Sequence, residues 1–100
     1  MRLFGFFEGD VAKIDAYLKK GAVVIDVRTP MEYNQAHAPG SELIPLDAIP
    51  QNVARIQEMN KAVILVCRTG ARAGSAKRFL QRFGIDVING GAWQAVVQES

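Results

Sequence analysis

The sequence predicts an α/β domain built on a mostly parallel central sheet of four to five strands, with helices on both faces. Three observations lead there. Short β-branched runs at residues 22–27, 62–66 and 85–88 alternate with stretches of helical periodicity. The run Ala62-Val63-Ile64-Leu65-Val66 is apolar at every position, as a strand covered on both faces must be. The 100 residues, 49% of them hydrophobic, suffice for one core and leave no room for another, so a single domain over residues 1–100 is expected.

Each element has its own signal. Asp10 is placed to cap a first helix whose apolar face is Val11, Ile14 and Leu18 and whose stop is Gly21. A strand over 22–27 follows. Thr29-Pro30-Met31-Glu32 has the form of a capping box: a hydroxyl at the N-cap, a proline in the first turn, and a carboxylate three residues on that reaches back to a free backbone N–H. That helix is expected to end near Ala36, Ala38-Pro39-Gly40 to turn the chain, and residues 42–44 to form a short strand before Pro45. Residues 46–50 read as a connection, and a helix over 51–59 would bury Val53 and Ile56 before Asn60-Lys61 leads into the central strand. Ala76, Phe79, Leu80 and Phe83 recur at i, i+3, i+4 and i+7, the core face of a helix closed by Gly84. A last strand over 85–88, a turn at Asn89-Gly90-Gly91 and a helix over 92–98 carrying Trp93, Val96 and Val97 complete the chain.

Composition narrows the function. Twelve Lys and Arg against ten Asp and Glu give a net charge of +2, without the dense basic footprint of a nucleic-acid binder. Arg68, Arg72, Lys77, Arg78 and Arg82 lie close together and suggest a locally positive region suited to a small anion; a solvated helix face accounts for Lys77 and Arg82. One cysteine can form neither an internal disulfide nor a multi-cysteine metal site, and a free thiol suits a reducing compartment. Residues 1–8 are too short for a signal segment, Glu8 and Asp10 interrupt them, and no run approaches the roughly 18 apolar residues of a membrane span. A cytoplasmic protein without a membrane or nucleic-acid partner is therefore expected.

Cys67 is the residue to watch. It ends the central strand just ahead of a helix, and open α/β sheets bind ligands outside the carboxyl ends of their strands. The segment Cys67-Arg68-Thr69-Gly70-Ala71-Arg72-Ala73-Gly74 carries two glycines, which let a tight loop turn its amides toward one point, and the helix adds the positive end of its dipole. Such surroundings favour thiolate over thiol. Arg72 is placed to fold back and donate to an oxyanion or to the terminal sulfur of a persulfide. The alternative is that Cys67 is a small buried hydrophobe at a strand end. Asp26 and Arg28 read as a buried polar pair supporting the active loop, direct proton transfer being the competing role. His37 has no carboxylate or serine partner in its motif and reads as holding a turn rather than as a base. The capping box accounts for Glu32, and Trp93 reads as core.

Taken together, these segments resemble the rhodanese family. Val24-Ile25-Asp26-Val27-Arg28, Thr29-Pro30-Met31-Glu32-Tyr33, His37-Ala38-Pro39-Gly40 with Pro45-Leu46, Cys67-Arg68-Thr69-Gly70-Ala71-Arg72 and Gly90-Gly91 are similar to its signatures in order and spacing over about residues 10–95. The resemblance implies a rhodanese-like fold and a thiosulfate sulfurtransferase in which Cys67 attacks a sulfane donor, becomes a persulfide and passes the sulfur to cyanide or a thiol. It further implies that the backbone from Arg68 through Thr69, Gly70, Ala71 and Arg72 to Ala73 cradles the persulfide, while Arg72, with Arg68, attracts a small anionic donor such as thiosulfate. No organic cofactor or metal is implied. A partner protein that relays the sulfur onward is compatible with the same chemistry. The chain departs from the family pattern at Ala36, where glycine often precedes the histidine, and at Leu43, where asparagine often follows the turn; both bear on packing. Phosphatases and arsenate reductases with related loops place the arginine one residue further from the cysteine, in a larger loop. Noncatalytic modules of the family usually replace the cysteine, which this chain retains.

Overall fold

A computed structural model describes residues 10–97, so the expectations for residues 1–8 and for Gln98 lie outside the described residues. The elements run α1 (Ile14–Lys19), β1 (Val23–Asp26), α2 (Pro30–Gln35), β2 (Glu42–Leu43), α3 (Val53–Met59), β3 (Val63–Cys67), α4 (Ala71–Gln81) and β4 (Val87–Ala92), with 3-10 turns at Leu46–Ala48, Pro50–Asn52 and Trp93–Val96. The four strands form one parallel sheet in the order β2-β1-β3-β4.

β3 lies between β1 and β4, and all five of its residues are buried. Because side chains alternate across a strand, Val63, Leu65 and Cys67 face one side and Ile64 and Val66 the other. The first side is closed by α3 and α4 through Ile56, Ala73, Ala76 and Leu80, with Ile49 from the connection between β2 and α3. The second is closed by α1 through Ile14 and by the C-terminal 3-10 turn through Val96. Fully burying each large aliphatic side chain here contributes about 1.5–3 kcal/mol, so the sheet is held mainly by this double covering. Cys67 therefore points toward α4, the helix that begins just beyond it.

Local signals held where their partners are close in sequence. Thr29 and Glu32 form both hydrogen bonds of the capping box at the start of α2. Gly84 adopts a φ of 75°, and Gly21 one of 87°, at the chain reversals where a helical stop was expected.

Elsewhere the structure corrects the expectation. Lys13, not Asp10, precedes α1, and the Asp10 carboxylate turns inward to accept hydrogen bonds from Lys77 Nζ at 2.6 Å and from the Asn89 N–H at 2.9 Å. Val11 is exposed and lies ahead of α1. Phe83 is exposed too, because α4 ends at Gln81 and the following turn carries Phe83 off the core face. The helix expected over 51–59 begins as a 3-10 turn and becomes α-helical only at Val53. The expected helix over 92–98 is a 3-10 turn at Trp93–Val96.

Asn89-Gly90-Gly91 is not a turn. It lies inside β4, where Leu65 pairs with Asn89 and Val66 with Gly91, leaving Gly90 as the extra residue of a bulge. A Cβ on Gly90 would sit 2.7 Å from Ile64 Cγ2 and 3.1 Å from Val66 Cγ1, so this position needs glycine to leave room for the side chains of β3 rather than for a reversal.

Candidate active site

The site grows from the end of β3. After Cys67 the chain runs through Arg68 and Thr69, both exposed, to Gly70, whose φ of 102° is open to glycine but strained for other residues. This conformation turns the Gly70 N–H back onto Cys67 Sγ at 2.9 Å. Cys67 itself is shielded from solvent, its relative exposure 0%. The sequence reading expected a ring of amides; one, that of Gly70, donates to the sulfur. The Ala71 N–H instead approaches Thr69 Oγ1 at 3.4 Å. Arg72 and Ala73 lie in the first turn of α4, where helix geometry provides no intrahelical acceptor for their N–H groups.

Arg72 does not reach over the loop to an open anion site. Its guanidinium grips the Glu32 carboxylate through two parallel bonds, Nη1 to Oε1 at 2.7 Å and Nη2 to Oε2 at 3.0 Å. Glu32 thus closes the capping box and anchors the arginine at once, because Oε1 also accepts from the Thr29 N–H at 2.9 Å. The Arg72 guanidinium, helped by the Thr29 N–H, holds the Glu32 carboxyl down at about 2. Conversely, Glu32 raises the pKa of Arg72. Lys77 is likewise engaged, by Asp10. The positive region inferred from the sequence is therefore partly neutralised.

Asp26 and Arg28 do pair. Arg28 Nε lies 2.9 and 3.0 Å from the two carboxylate oxygens of Asp26, and Nη2 lies 2.8 Å from Oδ2. The same Nη2 donates to the Ala36 carbonyl at 2.7 Å, tying the end of α2 to β1, and the guanidinium lies 5.2 Å from the centre of the Trp93 ring. Among the described residues neither side chain hydrogen-bonds the loop after Cys67. His37 Nδ1 lies 2.8 Å from the Tyr33 carbonyl and its ring stacks on that of Tyr33, as a turn-holding residue would.

Beside the loop, Val27, Thr29, Pro45, Leu46, Asp47 and Arg72 line, with Arg28, a shallow pocket of about 260 Å³. A larger cavity of about 400 Å³ lies at the opposite end of the strands, before the amino ends of β3 and β4, among Ile56, Lys61, Phe83 and Asp86, and contains none of the site residues. Position at the carboxyl ends of the strands matters more here than size. Among the described residues no three His, Cys, Asp or Glu side chains come together as a metal ligand set, and no helix is long and apolar enough to cross a membrane.

Asn89 also belongs to the site. It lies in β4 and donates from Nδ2 to the Gly70 carbonyl at 2.9 Å, linking the neighbouring strand directly to the loop. Its sequence context, next to two glycines, reads as a turn.

Known proteins share this fold. The family model for the rhodanese-like domain matches residues 10–97. The chain belongs to the rhodanese-like domain family. It is similar to the thiosulfate sulfurtransferase GlpE of Pseudoalteromonas translucida, with 30% identity over 86 residues and 81% of each chain covered. It is also similar to the thiosulfate sulfurtransferase PspE of Escherichia coli, 36% identical over 61 residues that make up 60% of this chain and 59% of that protein. That match therefore spans less than two thirds of the relative's length. Among solved structures, a rhodanese-like domain protein from Staphylococcus aureus superposes with a TM-score of 0.73 at 30% identity, covering 90% of both chains. A rhodanese with anions from Escherichia coli gives a TM-score of 0.70 at 31% identity, covering 79% of this chain and 95% of that one.

Proposed function

We propose that this chain is a sulfurtransferase that moves a sulfane sulfur from a donor such as thiosulfate to a thiophilic acceptor, cyanide or a thiol, through a persulfide on Cys67. The observation that carries the reading is the Gly70 N–H directed at Cys67 Sγ at the carboxyl end of the central strand. An amide in that position stabilises negative charge on sulfur, whether on the attacking thiolate or on the persulfide.

The Cys67 thiolate attacks the outer sulfur of thiosulfate; a new S–S bond forms, the bond to the sulfonate sulfur breaks with its electron pair, and sulfite leaves. Cyanide or a thiolate then attacks the terminal sulfur of the persulfide, giving thiocyanate or a new persulfide and regenerating the Cys67 thiolate. The electrons balance without an external oxidant, and the two half-reactions share one enzyme site in ping-pong order. Cys67 is shielded from solvent, which keeps bulk water from the bound sulfur. Arg68, exposed in the loop, is the cation nearest the thiol in sequence and draws the anionic donor, while Arg72 presents the remaining N–H groups of its guanidinium. A working group that is a free thiol suits a reducing compartment, so we place the protein in the cytoplasm, where a partner protein can serve as acceptor.

Intact-mass measurement after incubation with thiosulfate is expected to show one added sulfur on Cys67, removed by cyanide as thiocyanate, with neither event in Cys67→Ser. Sulfur transfer that survives the substitution would overturn the reading. Hydrolysis of a phosphate monoester in its place would point to a phosphatase, and loss of both activities to a binding module.

A further inference from the structure

We infer that Asn89 is a positioning residue for the reactive sulfur: it holds the Gly70 carbonyl so that the Gly70 N–H stays aimed at Cys67 Sγ. The inference rests on the sulfurtransferase reading only for its consequence in sulfur transfer. A residue at φ 102° with no side chain has nothing of its own to keep it there. Gly70 is held instead by hydrogen bonds on both of its peptide groups. Its carbonyl accepts from the Gly74 N–H at 2.8 Å, the first bond of α4, and from Asn89 Nδ2 at 2.9 Å, while its N–H reaches Cys67 Sγ.

Asn89 is itself immobilised. Its Oδ1 accepts from the Gly91 N–H at 2.9 Å and its own N–H donates to Asp10 Oδ2 at 2.9 Å, the oxygen that also takes Lys77 Nζ from α4. The amide is 4% exposed, so water cannot readily replace its donor. Among the described residues, apart from the Cys67 thiol itself, no other side chain from outside the loop and α4 hydrogen-bonds the backbone of residues 68–70. The opposite wall is cleared for it: a Cβ on Gly74 would lie 3.3 Å from Asn89 Nδ2. The bulge at Gly90 completes the arrangement by re-aiming β4 beside the loop.

The test compares the whole chain with Asn89→Ala and Asn89→Asp. The aspartate keeps the size and the acceptor for Gly91 but sets a carboxylate oxygen against the Gly70 carbonyl, so it removes the tether with little change of volume. The readouts are the pH–rate profile of Cys67 alkylation by iodoacetamide and, by NMR, hydrogen exchange of the Gly70 amide. Both variants should move the profile to higher pH, slow alkylation at neutral pH roughly fivefold to tenfold, the size of one lost buried hydrogen bond, and speed exchange at Gly70. If Asn89→Ala does not fold, the uncharged and similarly sized Asn89→Thr decides, because the carboxylate of Asn89→Asp would by itself disfavour the thiolate. Profiles that coincide with the parent, with only the melting temperature lowered, would overturn the inference and leave Asn89 a structural residue. A parent that takes no sulfur from thiosulfate would sink the proposed activity and leave this comparison standing.

Discussion

Two arginine–carboxylate pairs flank the site, made of the same groups with similar geometry, and burial separates them. Arg28 and Asp26 have side-chain exposures of 6% and 0%, whereas Arg72 and Glu32 show 33% and 30%. In the first pair every oxygen of the acid is taken by its arginine neighbour, whose Nη2 also holds the Ala36 carbonyl. Neither ion can be solvated if the other leaves, so the pair behaves as a strut. The second pair keeps water at hand for either partner and joins α2 to α4 across the mouth of the site. It behaves as an adjustable clamp whose net strength solvent limits. Identical chemistry thus serves fixed geometry in one place and movable charge in the other.

The contrast can be broken most forcefully at the strut. Asp26→Ala leaves the Arg28 guanidinium buried and unpaired, and about 3–5 kcal/mol of stability should disappear, read as a lower urea midpoint. A loss no larger than that of a surface substitution would show that Arg28 reaches water and that the two pairs are alike.

The clamp should matter more for chemistry than for stability. Arg72→Lys keeps the charge but loses the planar fork that fits a carboxylate, so kcat/KM for thiosulfate should fall roughly fivefold to tenfold while the melting temperature stays near that of the parent. An equal fall in stability would make Arg72 a second strut.

The smallest effect is in the acid limb. Glu32 has its pKa lowered from 4.5 to about 2 in the folded chain, so its contribution is complete above about pH 4.5 and is lost as pH falls toward 2. Glu32→Gln keeps an acceptor for the capping box but not the charge. The stability difference between parent and variant, followed by denaturant unfolding, should be constant above pH 4.5 and shrink steadily below it; a difference independent of pH would assign it to packing.

Much of this architecture was legible in the residues themselves. The capping box at Thr29 and Glu32 and the continuous apolar strand ending at Cys67 depend on neighbours within a few positions, and both are found; Gly84 marks the chain reversal, though the helix itself ends earlier, at Gln81. The glycines at 90 and 91 were visible but misleading, since glycine permits both a reversal and a close approach, and only the packing of β4 against Ile64 decides which. Asp10 misled for the same reason: an acid ahead of a helix is a good cap until a better partner arrives.

What the sequence determined on its own is the succession of the main helices and strands, the double covering of the central strand and the position of the thiol at its end, because periodicity and caps are local physics. What only the tertiary structure decided is which charged and amide groups meet around that thiol. The Glu32–Arg72 contact spans 40 residues, Asp10–Lys77 spans 67 and Asp10–Asn89 spans 79. A hydrogen bond between such distant residues has no signature in either one's neighbourhood; it exists because the parallel sheet brings the ends of β1, β3 and β4, and the helices that follow them, together.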